Sequence, residues 1–529
     1  MLQQIKKLGE IGLVKDTSDV ELPPNAWTVL NNVRLINGAI ENVAGYSEYV
    51  TPTGTPYSLS QILYDSIYYL LYASDTPTAD GVVDAIYSYN GTTHTDISRY
   101  TTTPGDDPYT GSTSQRWGLT VLDQIPVLNN GKDEPQYWAV PGTGNLANLP
   151  YDATNDWSDV LLSAKVIAAY KNFLVAFNII SNVTHWPHMV WWSEVADPGS
   201  IPSTWDYTDA TSLAGRTVLA GTEGHIVDAI PMRDDLLVYK TDAVYRMSFV
   251  GGTLLFRFQR IKGMRGALSA GCVAEIDGRH LVVGDGDIYI HDGQNPVSIA
   301  EDKYRDWFLS ALNTDHYQNI QIRLLKSKSE AWIGFPSTAS SGAMDKALIW
   351  NWVDNTASIR DLPNIFDMAE AILVQSPPTW NDWGAVTWNA LASTTWDSVP
   401  FSPAAETILG AGSTIWKFES GLQAAGSNIV CKASRTGLKP GDSDDDSKFL
   451  LRYIYPRAYG SATLSVRVGH ADTPEGEIIW HDPIPFVIGT DRRVSTRCKG
   501  RFFAIEFSSN QNASWRVDSY NVEFSKAGR

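Results

Sequence analysis

Six stretches of this chain share one pattern: an apolar run of strand length, a polar break, and a second apolar run. They are QILYDSIYYLLYA from Gln61, GLTVLDQIPVLNN from Gly118, KVIAAYKNFLVAF from Lys165, IVDAIPMRDDLLVYK from Ile226, CVAEIDGRHLVVG from Cys272 and IQIRLLKSKSEAWIGF from Ile320. Two apolar runs about a polar turn read as a β-hairpin. A second strand–turn–strand element follows each copy. It is clearest in IYSYNGTTHTDI from Ile86 and IYIHDGQNPVSI from Ile288, where Asn-Gly and Asp-Gly offer the positive φ of a tight turn. These second elements are anchored at Ile86, Tyr137, Val190, Val244, Ile288 and Ile349, with a further copy at Ile415. Two hairpins make four strands, and roughly 40–50 residues per four-stranded unit is the spacing of propeller blades, the wider scatter of these anchors fitting loops of different length on a common blade.

The expected fold is therefore all-β: a β-propeller of six or seven blades over residues 51–425, followed by a C-terminal antiparallel β-sandwich over 426–529. The competing arrangement is a set of ordinary antiparallel sandwiches, since no WD, kelch or sialidase-type signature marks the blades. Composition agrees with short strands and tight turns, with 41 Gly, 27 Pro, 24 Tyr and 19 Trp. Residues 1–50 form an N-terminal segment with a hairpin on Asn37-Gly38, which would complete a blade and close the ring. From about Gly426 the repeats stop, and FLLRYIYPRAYG, ATLSVRVGHA, FFAIEFSSN and SWRVDSYNVEFS read as sandwich strands.

Catalytic constellations are poorly represented. The nine histidines are dispersed, and only His185 and His188 in HWPH are close, in a Pro-containing segment unlike a helical metal motif. Cys272, Cys431 and Cys498 match no metal spacing, and a reducing folding compartment is expected. GDGD from Gly284 reads as a hairpin turn rather than a calcium loop, and GDSDDDSK from Gly441 as a solvated acidic loop. No cofactor, metal or enzymatic activity is expected. The start, MLQQIKKLGEIG, has no apolar stretch for a signal peptide, and no segment reads as a membrane anchor. A net charge of −18 disfavours sequence-reading of nucleic acid, because few Lys/Arg–phosphate contacts can form.

Two features point to packing or interfaces. TWNDWGAVTWNALASTTWDSV carries Trp380, Trp383, Trp388 and Trp396, in a Trp-rich loop inserted at 376–403 within the last blade. Trp380, Trp388 and Trp396 would lie about 26 Å apart on a straight strand, too far for adjacent indoles to stack on one sugar chain. Turn formers follow each of them, so a folded loop packing its indoles inward, or against a neighbouring subunit, is the better expectation. FRFQRIKGMRG from Phe256 is the one notably basic stretch. Strand alternation turns Arg257 away from Phe256 and Phe258, and Arg260 with Arg257 makes a candidate subunit contact.

Four stretches carry a family resemblance. GLVKDTSDVELPPNAWTVLNNVRLINGAIENVAGY from Gly12, VWWSEVADPGSIPSTWDYTD, HIVDAIPMRDDLLVYKTDAVYRMSFVGG and HLVVGDGDIYIHDGQNPVSI resemble the β-propeller hub or nozzle proteins in the tails of short-tailed bacteriophages. The closing GRFFAIEFSSNQNASWRVDSYNVEF is similar to sandwich strands of such virion proteins. The resemblance implies a non-enzymatic structural protein of the virion tail, assembled in the host bacterial cytoplasm. It implies a ring, typically a hexamer, below the portal and adaptor proteins and beside tail fibre or tail-tip proteins. Genomic DNA would pass through that ring without sequence recognition. The rival class is a carbohydrate-binding or glycan-degrading propeller of tail-spike or lectin type, in which loop aromatics stack on sugars and paired carboxylates hydrolyse them.

Overall fold

The computed structural model describes residues 2–78, 81–100, 109–181, 184–252, 254–374, 404–440, 447–474 and 476–528. Its strands form seven antiparallel blades and a two-sheet sandwich: five blades are separate four-stranded sheets, the sixth is part of a ten-stranded sheet and the seventh of a six-stranded one. Each of the six repeated hairpins forms the first two strands of blades 1 to 6. Blade 1 opens with Thr55–Tyr64 and Ile67–Thr78, and blade 2 with Gly118–Leu122 and Ile125–Asn129. Blades 3 and 4 open with Leu162–Tyr170 and Ile226–Met232, blades 5 and 6 with Val273–Ile276 and Gln321–Leu325. Blade 7 opens with Asp367–Val374, paired to Ala404–Ala411.

The polar breaks are where the chain reverses. Asp65-Ser66 and Asp123-Gln124 hold positive φ at both positions, as does Asp277-Gly278, so these are tight two-residue turns of the twist that hairpins favour. The Asn90-Gly91 and Asp292-Gly293 turns are different. Only the glycines take positive φ there, and the preceding side chain caps a four-residue loop: Asn90 Oδ1 accepts from the N–H of Thr92 and Thr93, and Asp292 Oδ1 from Gln294 and Asn295. GDGD is likewise a turn, with Gly284 paired to Asp287.

The seventh blade takes its outer strand from the other end of the chain. Ile415–Phe418 pairs antiparallel with Tyr46–Val50, so the ring is latched by segments about 370 residues apart in sequence. The Asn37-Gly38 hairpin is not that latch. Both its residues have positive φ, and it joins Val33–Ile36 to Ala39–Asn42, which continue a sandwich sheet through Val517↔Ile40. The cause lies in its apolar face: Val33, Leu35 and Ile40 are buried with Ile454, Val466, Phe507 and Tyr520 in the sandwich core.

Both chain ends thus build the sandwich. One sheet runs Val494–Gly500, Phe449–Gly460, Trp515–Lys526, Ala39–Asn42 and Val33–Ile36, with Leu2–Lys6 also on Trp515–Lys526. The opposing sheet contains Cys431–Leu438, Phe502–Ser509 and Thr463–Ala471. It is continuous with blade 6, because Val29–Asn31 pairs with Cys431–Leu438 on one side and touches Thr356–Ile365 through Asn31↔Ile359 on the other. Propeller and sandwich therefore share backbone hydrogen bonding as well as packing. Among the described residues no helix is long and apolar enough to cross a membrane.

Candidate functional site

The opening strands of all seven blades line one central cavity of about 830 Å³. A belt of hydrogen bonds ties each blade to the next around it. Ser58 of blade 1 bonds the backbone of Trp117 at the start of blade 2, and Asn129 of blade 2 donates to Ala164 O of blade 3 at 2.8 Å. Asn178 of blade 3 donates to Ile226 O of blade 4 at 2.7 Å, and Asp228 of blade 4 accepts from Gly271 N, ahead of blade 5, at 3.0 Å. Gly271 O accepts from Ile322 N of blade 6. Gln321 and Arg323 of blade 6 donate to Asp367 Oδ1 and Met368 O of blade 7, at 2.6 and 2.7 Å. Asp367 Oδ2 closes the belt by accepting from Ser58 Oγ and Leu59 N of blade 1.

This belt decides what the cavity carboxylates can do. Asp367 is buried and accepts from Ser58, Leu59, Gln321 and its neighbour Met368 N, which uses the lone-pair directions of both oxygens. Burial pushes the Asp228 carboxyl up, while the N–H of Gly271 and Ala229 pull against it. Glu370 accepts from Leu324 N at 2.9 Å. Glycoside hydrolysis needs one carboxyl as proton donor and a second as base or nucleophile. Asp367 is thus committed to holding blade 7 to blades 1 and 6, whereas Glu370 is exposed and accepts one backbone N–H through Oε1. Arg116 is held in the same way, donating to Phe366 O and Gln318 O.

Arg257 and Arg260 lie on Phe256–Ile261, the outermost strand of blade 4, and both are exposed while Phe256 is buried. The hairpin that leads into this strand leaves Phe249, Val250 and Leu254 exposed at 47%, 55% and 74%. The structure thus adds an apolar tip beside the basic strand. The Trp-rich loop with Trp380, Trp383, Trp388 and Trp396 lies outside the described residues, as does most of GDSDDDSK.

His185 and His188 sit on the strand Thr184–Trp192 of blade 3, with His185 Nε2 bonded to Asn178 Oδ1. They join no group of three metal-capable side chains among the described residues. One such group does form elsewhere, from His470, His481 and Cys498 in the sandwich. Their spacing in sequence carries no metal signature, since three different segments bring them together. All three cysteines are buried free thiols.

No family model and no curated protein matches the chain. Similar solved structures include the extracellular domain of a putative one-component system from B. thetaiotaomicron, at 10% identity and TM-score 0.36, covering 90% of this chain and 58% of that one. An acylaminoacyl peptidase of Pyrococcus horikoshii matches at 10% identity and TM-score 0.32, covering 75% of this chain. The match spans about 60% of that peptidase's length. A family 43 arabinoxylan arabinofuranohydrolase from Bacillus subtilis matches at 10% identity and TM-score 0.24, covering 90% and 96%. Likenesses this slight carry no argument about what the chain does. The chain's own strand pairing makes it an all-β protein of seven propeller blades joined to a β-sandwich.

Proposed function

We propose that this chain is a structural subunit that assembles with copies of itself into a ring, as the hub or nozzle of a short-tailed bacteriophage tail. The observation that carries the reading is the outer edge of blade 4, where exposed Phe249, Val250 and Leu254 adjoin exposed Arg257 and Arg260. Apolar side chains beside arginines are the composition of protein interfaces. A basic edge on a chain of net charge −18 is complementary to the rest of another copy's surface. The central cavity supports the same reading, because Asp228, Asp367, Arg116 and Arg323 on its wall hold blades together. A volume near 830 Å³ is that of a small-molecule site, so a passage for DNA would be formed by the ring of subunits and not by the propeller axis.

Sedimentation and electron microscopy of the purified chain test this. Ring-shaped oligomers are expected, and Arg257→Glu with Arg260→Glu should weaken association tenfold or more while leaving the melting temperature unchanged. A chain that stays monomeric at all concentrations sinks the reading.

A second reading is a carbohydrate-binding or glycan-degrading propeller. It is favoured by the size of the cavity and by the polar side chains of Gln61, Arg323 and Glu370 on its wall. Glycan-array binding abolished by Glu370→Gln at an unchanged melting temperature, on a chain that forms no ring, would support it over the first.

A further inference from the structure

The sandwich holds a side-chain cluster that neither reading uses. His470 is the penultimate residue of the strand Thr463–Ala471, His481 follows the short strand Ile479–Trp480, and Cys498 lies on Val494–Gly500. One ligand atom of each lies within 4.8 Å of the others. His470 Nδ1 and His481 Nε2 are 3.3 Å apart. That separation is long for a hydrogen bond, which the pair still satisfies. It matches the roughly 3.3 Å between two nitrogens that each sit about 2.05 Å from one tetrahedral zinc ion.

The backbone is shaped to allow this approach. Gly500 shares a strand face with Cys498, two residues away, and a Cβ at Gly500 would come within 2.8 Å of His470 Cβ. Glycine there lets His470 lie directly against the strand that carries the thiol. His470 and the strand that His481 follows belong to the ten-stranded sheet and Cys498 to the opposing one, so the three groups meet where the sandwich sheets come together.

We propose that His470, His481 and Cys498 bind a single divalent transition-metal ion of the zinc class, which clips the two sheets of the sandwich together. Two imidazoles and a thiolate suit a borderline-soft ion. The ion displaces the thiol proton to solvent, so one proton is released per metal bound. Asp472 already pairs with Lys448 at 2.6 Å, and the exposed side of His481 leaves the fourth position to water.

The test is titration of the chelator-treated full chain with Co2+, followed by thiolate-to-metal charge-transfer absorption. One equivalent is expected to bind, to be displaced by Zn2+, and to raise the melting temperature. Cys498→Ser should abolish the charge-transfer band, whereas Cys272→Ser and Cys431→Ser should keep it. His481→Ala, at an exposed position, should weaken binding tenfold or more and serves if the cysteine variant fails to fold. Absence of the band at saturating Co2+, a band that survives Cys498→Ser, or unchanged affinity in His481→Ala would each overturn the proposal.

Discussion

His280 and His291 converge on the hydroxyl of Tyr239, and their partners assign every proton. Gly293 N donates to His291 Nδ1 at 3.1 Å, so His291 Nε2 carries the hydrogen and donates to Tyr239 Oη at 2.8 Å. Tyr239 then donates to His280 Nδ1 at 2.7 Å, and His280 Nε2 donates to Pro231 O at 3.0 Å. The relay works only with both imidazoles neutral. Burial lowers both to about 4, and for His291 the neighbouring His280 adds to the effect while Asp292 opposes it. A histidine whose folded value lies below its unfolded value stabilises above about 6.5 and loses that contribution as pH falls towards 4. The urea midpoint should therefore drop between those pH values, and the drop should be smaller in His291→Asn. An equal drop in the variant would exclude the relay as its source.

Hairpins are the elements that sequence alone exposes here. Asp65-Ser66, Asp123-Gln124 and Asp277-Gly278 are local breaks between apolar runs, and each turned out to be a reversal between the first two strands of a blade. Pairings between distant strands were not legible in this way. By sequence the Asn37-Gly38 hairpin reads as a ring closure, but it is a sandwich edge, because alternation shows which face is apolar and not which core receives it. The latch strand Tyr46–Val50 follows directly, and Gly45 brings it in. A Cβ at Gly45 would sit 1.9 Å from Gln423 O, a backbone atom that cannot swing aside. Gly45→Ala should cost about 1–3 kcal/mol, the usual range for overpacking, read as a lowered urea midpoint. The candidate metal cluster was missed for a similar reason. His470, His481 and Cys498 have no telling spacing, and only the meeting of two sheets puts them within reach.

At the scale of the molecule, a buried ion network fastens the sandwich to the ring. Arg34, from the sandwich, pairs with Glu330 of blade 6 and Glu419 beside blade 7, and Arg360 of blade 6 reaches Glu419 at 2.7 Å. Lys328 also pairs with Glu419, and Arg360 stacks over Trp332 at 4.4 Å. Burial alone would raise the Glu419 carboxyl, but the charges of Arg360 and Arg34 outweigh it and hold it far below the usual range. Removing one member strands a buried charge, so Arg34→Ala should cost about 3–5 kcal/mol in equilibrium unfolding. With this network and a sheet running from blade 6 into the sandwich, the two parts should melt in one calorimetric transition. Deletion of residues 426–529 should leave no separately melting propeller. Two well-separated transitions in the full chain would contradict this coupling.

The sequence by itself determined the class and the repeat, since strand alternation and turn chemistry act between residues only a few positions apart. The same local alternation turned Arg257 away from the buried Phe256, whereas Arg260 shares the side of Phe256 and is exposed near the end of the strand. The tertiary structure alone decided that there are seven blades, that Tyr46–Val50 latches the ring, and that both termini build one sandwich. It also decided which charges the cavity leaves for chemistry. Those outcomes depend on contacts between segments hundreds of residues apart, where what is buried is settled by which cores remain to be filled and not by the neighbouring residues.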